Sequence, residues 1–98
     1  MKTPEGKIQE KIIKYLKEKK YFHFRYNAVS SAFGLPDIIV IKDGRFVGLE
    51  VKTETGRATE LQMRMQEAIR IAGGVYEFVT SVKDVEEILE NGHQTNQF

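Results

Sequence analysis

Between residues 34 and 52 the sequence GLPDIIVIKDGRFVGLEVK carries two apolar runs, 37–41 and 45–52, on either side of Asp43-Gly44. Asp-Gly between apolar runs signals a two-residue hairpin, because the favoured turn needs positive φ at both central positions. Neither run alternates cleanly. Near-continuous apolar runs are expected of strands covered on both faces, so these two are predicted to lie at the centre of a sheet. FHFRY, 22–26, alternates aromatic and polar side chains and predicts a strand before them, while VYEFVT, 75–80, predicts one after them.

Helical spacing occupies the rest of the chain. Thr3 caps a helix expected to start at Pro4 and Glu5 and to run to about Lys20, since proline loses no needed donor at a helix start and an acid suits the positive end. With Ile8 at zero and about 100° per residue, Ile12, Glu5, Leu16 and Gln9 share a face about 100° wide, and Glu10 points away at roughly 200°. Glu5 is therefore expected on the core-facing stripe. Thr59 opens a second helix with Leu61, Met65, Ala68, Ile69 and Ala72 at helical spacing, stopped by Gly73-Gly74. Ser81 caps a third that ends at Asn91-Gly92. Asn27 to Pro36 and TETGRA, 53–58, read as loops, and the tail 93–98 as frayed.

The order α, β, β, β, α, β, α predicts an α/β fold, a mixed central sheet flanked by helices. One domain over residues 1–92 is expected, because 98 residues supply one modest core and no linker divides them. No apolar stretch is long enough to span a membrane. The N-terminus lacks the apolar region of a signal peptide and there is no cysteine, so the expected location is the cytoplasm. Zero cysteines and two histidines also argue against structural zinc, leaving a hard, oxygen-bound cation as the metal to consider. A net charge of +1 gives little support for nucleic-acid binding, but lysines 7, 11, 14, 17, 19 and 20 crowd the first helix. A solvated helix face explains them equally well.

The candidate chemistry lies at the ends of the hairpin. Side chains alternate along a strand, so Glu50 and Lys52 project to one side and Val51 to the other. Pairing through Asp43-Gly44 returns Asp37 to the neighbourhood of Glu50 and Lys52. Two carboxylates held close repel each other and are costly to bury. A divalent cation relieves both costs, and magnesium suits the set because it binds one or two carboxylates and keeps waters for a phosphate to displace. The competing reading is a salt-bridge cluster at a strand end. Glu5, an acid on an otherwise apolar face, favours the metal; Gln62 is open between a role at the site and a Thr59-x-x-Gln62 capping box.

Gly34-Leu35-Pro36-Asp37, Glu50-Val51-Lys52 with Thr53 and Gly56 after it, Thr59-Glu60-Leu61-Gln62 and Glu5-x-x-Ile8-Gln9 together resemble the virus-type replication-repair nuclease domain, VRR-NUC, of the PD-(D/E)xK superfamily. The resemblance spans nearly the whole chain and is to the standalone phage and bacterial type. It implies a restriction-endonuclease-like αβββαβ core, here with a C-terminal helix, and metal-dependent hydrolysis of DNA phosphodiesters in a bacterial or phage-infected cell. It implies Mg2+, with Mn2+ as a substitute, on Asp37, Glu50 and the Val51 carbonyl, with Glu5 serving a second metal or its water shell. Lys52 would position the water and stabilise transition-state charge, and Gln62 would hold the lysine or the substrate. Lysines of the first helix, with Arg25, Arg57 and Arg64, would face phosphates, and no nucleotide cofactor is implied. Standalone members look like homodimers that cut branched DNA such as four-way (Holliday) junctions. Phe22, His23, Phe24 and Tyr26 are expected to pack the strand rather than stack on bases. Other readings are a non-cleaving nucleic-acid-binding or interaction module of the same fold, and an enzyme using the same metal site on RNA or a nucleotide.

Overall fold

Thr3 Oγ1 accepts from the N–H of Gly6 at 3.0 Å and starts α1, Pro4–Glu18. The computed structural model describes residues 3–25 and 33–91. Along α1, Ile12 and Leu16 are buried and Ile8 is half-buried, which matches the predicted phase. The helix stops two residues short of Lys20, which takes a φ of 62° in the turn leading to β1, Phe22–Arg25. Tyr26, the loop positions 27–32, Gly92 and the tail 93–98 lie outside the described residues.

β2, Ile38–Lys42, and β3, Arg45–Val51, form the expected hairpin with Lys42 paired to Arg45. Asp43 and Gly44 both take positive φ, 53° and 75°, as this turn requires. β1 pairs antiparallel with β2, and β4, Val75–Val79, pairs parallel with β3. The sheet order is β1-β2-β3-β4, so the two apolar runs are central as predicted. Between β3 and β4 runs α2, Glu60–Ile71, and the chain continues into α3, Val82–Glu90, capped by Ser81.

Alternation divides the sheet into two faces. Ile38, Val40, Val47, Leu49, Val51, Val75 and Val79 bury one face with Ile12 and Leu16 of α1 and Val85 and Leu89 of α3. The other face carries Ile39, Gly48, Glu50 and Tyr76 beneath α2. This is a mixed four-stranded sheet with helices on both sides and a C-terminal helix. No helix among the described residues is long and apolar enough to cross a membrane.

Three expectations are corrected. Leu61 and Ala68 of α2 and its C-cap Ala72 are exposed, while Gln62, Met65, Gln66 and Ile69 are half-buried. The helix is rotated from its apolar stripe because its two glutamine amides reach polar groups on the sheet, Glu50 Oε2 at 2.9 Å and the Tyr76 carbonyl at 2.8 Å. Phe22 and Phe24 do not pack the strand: they are 66% and 43% exposed, in edge-to-face contact with each other on the edge strand. Glu5, finally, is exposed. It sits in the first turn of α1, seven residues before the first fully buried position, Ile12, with Ile8 between them only half covered.

Candidate active site

Backbone geometry fixes the acidic pair. The register Ile38 opposite Leu49 puts Asp37 and Glu50 one step further on, at the end of the central strands. Asp37 Oδ2 accepts from the Val51 N–H at 2.8 Å, which ties the residue before β2 across to β3. Glu50 is 5% exposed and is the buried charged residue of the described core. Its Oε2 accepts from Gln62 Nε2 at 2.9 Å and lies 3.9 Å from Lys52 Nζ. Its Oε1 is buried and has no hydrogen-bond partner among the described residues.

A buried carboxylate oxygen without a donor is costly, and the ionisation of the pair reflects it. Burial first, and the adjacent Asp37 charge second, push the Glu50 carboxyl up to about 8, against the opposing pull of Lys52. Burial also pushes Asp37 above its ordinary range; the Val51 N–H opposes that shift and the Glu5 charge adds to it. Glu5 therefore acts electrostatically on both carboxyls despite its exposure. Among the described residues no three acidic or histidine side chains form a ready ligand group, so Glu5 does not join the pair as a third close carboxylate.

Gln62 forms the capping box and also reaches the acidic pair. Its Oε1 accepts from the Thr59 N–H at 3.0 Å and its own N–H donates to Thr59 Oγ1 at 3.1 Å, a complete capping box. The remaining amide hydrogens point to Glu50, not to the lysine, and fix that carboxylate from the helix side. Arg25 donates to Gln9 Oε1 at 3.0 Å, and Arg64 lies 3.5 Å from Glu60 on the exposed side of α2.

Two residues that support the site gave no local signal. Tyr76, fully buried, donates its hydroxyl to the Gly34 carbonyl at 2.8 Å across 42 positions of sequence. Gly48 lies under Pro36, where a Cβ would come within 2.5 Å of the proline Cγ. Gly34 itself has a φ of 75° and leaves no space for a side chain, since a Cβ would lie 2.7 Å from the Leu61 carbonyl oxygen. The loop before Asp37 is thus seated against α2, β3 and β4 together.

The residues present fit a hard cation: two adjacent carboxylates, one with a buried oxygen that lacks a donor, beside a lysine. No protein-family model matches the sequence, and no curated protein matches it. Among solved structures the chain is similar to a "VRR_NUC domain" that is 26% identical, with a TM-score of 0.76 over 94% of this chain and 100% of that one. A "VRR_NUC domain protein" that is 15% identical shares the fold, with a TM-score of 0.76 over 96% of this chain and 91% of that one. With the sheet order, this likeness over nearly the whole chain shows a restriction-endonuclease-like fold and supports a VRR-NUC domain.

Proposed function

We propose that this chain is a metal-dependent DNA endonuclease that hydrolyses phosphodiester bonds, acting as a homodimer on branched DNA such as a four-way junction. The observation that carries the reading is Glu50 Oε1, an acidic oxygen buried beside Asp37 and without a hydrogen-bond partner among the described residues. The Lys52 ion pair lies on the other oxygen, Oε2, at 3.9 Å and leaves Oε1 for a cation to satisfy.

Asp37 and Glu50, with the Val51 carbonyl, would hold Mg2+ or Mn2+, which when bound supplies Lewis-acid polarisation of the phosphate and neutralises developing charge. Glu5, exposed at the start of α1, would serve the water shell or a second ion. The chain's own groups do the remainder. Lys52 orients the attacking water and stabilises negative charge on the phosphate oxygens as the P–O bond breaks. Gln62 keeps the Glu50 carboxylate in one orientation, and the Val51 N–H does the same for Asp37. Exposed basic groups, Arg25 opposite Ile38 and the lysines of α1 among them, suit the DNA backbone.

One site cuts one strand, so symmetric cuts at a junction need two chains, and closed two-fold dimers are the commonest way to supply them. Val85 and Leu89 of α3 are consumed by the core, whereas Phe22, Phe24 and Ile41 are exposed. That favours the β1 face over α3 as the dimer contact. Incubating the purified protein with labelled branched, duplex and single-stranded DNA and with RNA, in magnesium or in chelator, tests the reading. Magnesium-dependent cleavage that favours the branched substrate is expected. Binding without cleavage in any metal would reduce the protein to a nucleic-acid-binding module.

A further inference from the structure

We infer that Tyr76 is a positioning residue for Asp37, acting through its hydroxyl on the loop that precedes the carboxylate. The inference deepens the proposed function, because it rests on Asp37 as a metal-holding group.

Asp37 enters β2 from Gly34-Leu35-Pro36, and the loop has three anchors. The first is steric: Gly34 packs against the backbone of Leu61, closely enough that a Cβ would overlap it. The second is also steric, Pro36 on the bare backbone of Gly48. Both limit how far the loop can press inward, but neither holds it down. The Tyr76 hydroxyl does, donating to the Gly34 carbonyl at 2.8 Å in a site closed to solvent. The Tyr76 ring is held in turn. It is flanked edge-to-face by Phe78, with centroids 5.4 Å apart, and its backbone carbonyl accepts from Gln66 of α2.

A polar group within the core is needed here for a physical reason. An apolar residue at position 76 would fill the same space, but the Gly34 carbonyl beneath α2 would lose its donor, and a buried carbonyl without one favours loop conformations that reach water. Such movement is transmitted three residues along to Asp37, which accepts from the Val51 N–H of β3 at 2.8 Å. Outer groups that orient a ligand are commonly as important to metal affinity as the ligands they hold.

Tyr76→Phe tests this, because it removes the hydroxyl and keeps the ring. Two readouts are made on the intact chain: exchange of the Val51 amide by NMR, and Mn2+ binding by electron paramagnetic resonance. Relative to the change common to the sheet amides, Val51 exchange is expected to speed up by about 5- to 10-fold, the loss of roughly one net hydrogen bond. Mn2+ affinity is expected to fall by about 10- to 100-fold. Gly34→Ala, which disturbs the same loop from the α2 side, should move both readouts in the same direction. Val85→Ala, in the core on the opposite face, should move neither beyond its general loss of stability. Unchanged Val51 exchange in Tyr76→Phe would overturn the inference whatever happens to the metal, as would equal effects from Val85→Ala. Wild-type protein that binds no Mn2+ would defeat the nuclease reading instead, and the Val51 exchange would still decide whether Tyr76 seats Asp37.

Discussion

Asp37 Oδ2 takes the N–H of Val51, so the carboxylate just before β2 is held by the backbone of the residue between Glu50 and Lys52. The three charged groups of the site are thereby built on one rigid strand pair. Asp37→Asn keeps an oxygen for Val51 and should leave the melting temperature within a few degrees of wild type, while cleavage falls by about 10²-fold or more. Glu50→Gln and Lys52→Ala should lose activity to a similar degree. Single-turnover cleavage in magnesium, with circular dichroism on the same samples, checks this. Near wild-type cleavage by any one of the three would remove that residue from the proposed machinery.

In the absence of divalent cations, stability should fall as pH rises from about 4.5 through about 8. The Glu50 carboxyl is raised from 4.5 to about 8, so between those values the folded state binds the proton that the unfolded state has released. Stability is full below the unfolded value and is lost through the folded one, by at most about tenfold in the folding constant per pH unit. Raised Asp37 adds to the trend in the same direction. Urea melts in chelator across this range should show the slope, and Glu50→Gln should flatten it. Magnesium at pH 8 should restore stability to wild type but not to Glu50→Gln. A slope that the substitution leaves intact would mean that the charge cost lies elsewhere.

Gln62 separates stability from chemistry. Gln62→Glu preserves the acceptor that the capping box requires but places a second carboxylate against Glu50, whereas Gln62→Ala removes both contacts. The alanine variant should lose about 1 kcal/mol of stability through the cap. The glutamate variant should fold at least as well as the alanine variant in magnesium, yet cleave more slowly than wild type by about tenfold or more. If Gln62→Glu cleaves at the wild-type rate, the amide has no part in orienting Glu50.

How much of this was legible in the sequence depended on the range of the interaction that set each feature. The Asp43-Gly44 hairpin, the caps at Thr3, Thr59 and Ser81 and the pairing of Asp37 with Glu50 are fixed within short spans or by one strand register, and the pattern of residues carries them. The phase of α2 was set instead by where its glutamine amides find partners on the sheet, which periodicity cannot show. Tyr76 read as one more strand aromatic because its hydroxyl partner lies 42 residues away. Glu5 shares an angular position with buried residues, but a wheel has no axial coordinate and the core does not extend to the first turn of α1.

The position of Glu5 leads to an asymmetry within one helix. Both Glu5 and Glu10 are exposed, so neither substitution by alanine should change the melting temperature by more than a few degrees. The charge of Glu5 adds to the burial that raises the carboxyls of Asp37 and Glu50. Glu5→Ala should therefore lower cleavage at limiting magnesium severalfold and by more than Glu10→Ala. A magnesium titration of cleavage rate distinguishes them, and equal curves would exclude Glu5 from the ion's surroundings.

The β1 face supplies the last expectation. Phe22 and Phe24 project to one side of an edge strand, where an aromatic pair in water is a site for association, and Ile41 beside Phe22 extends the exposed apolar surface. On α3, by contrast, Val85 and Leu89 already face α1 and the sheet. Phe22→Asp with Phe24→Lys should give a folded monomer by light scattering, since neither ring is in the core. Paired cutting of a four-way junction should fall while nicking of single strands persists, because each chain keeps its own Asp37, Glu50 and Lys52. Ile88→Asp on α3 should disturb folding more than assembly. A wild-type protein that is monomeric at working concentration, or a double variant that remains dimeric, would remove β1 as the contact.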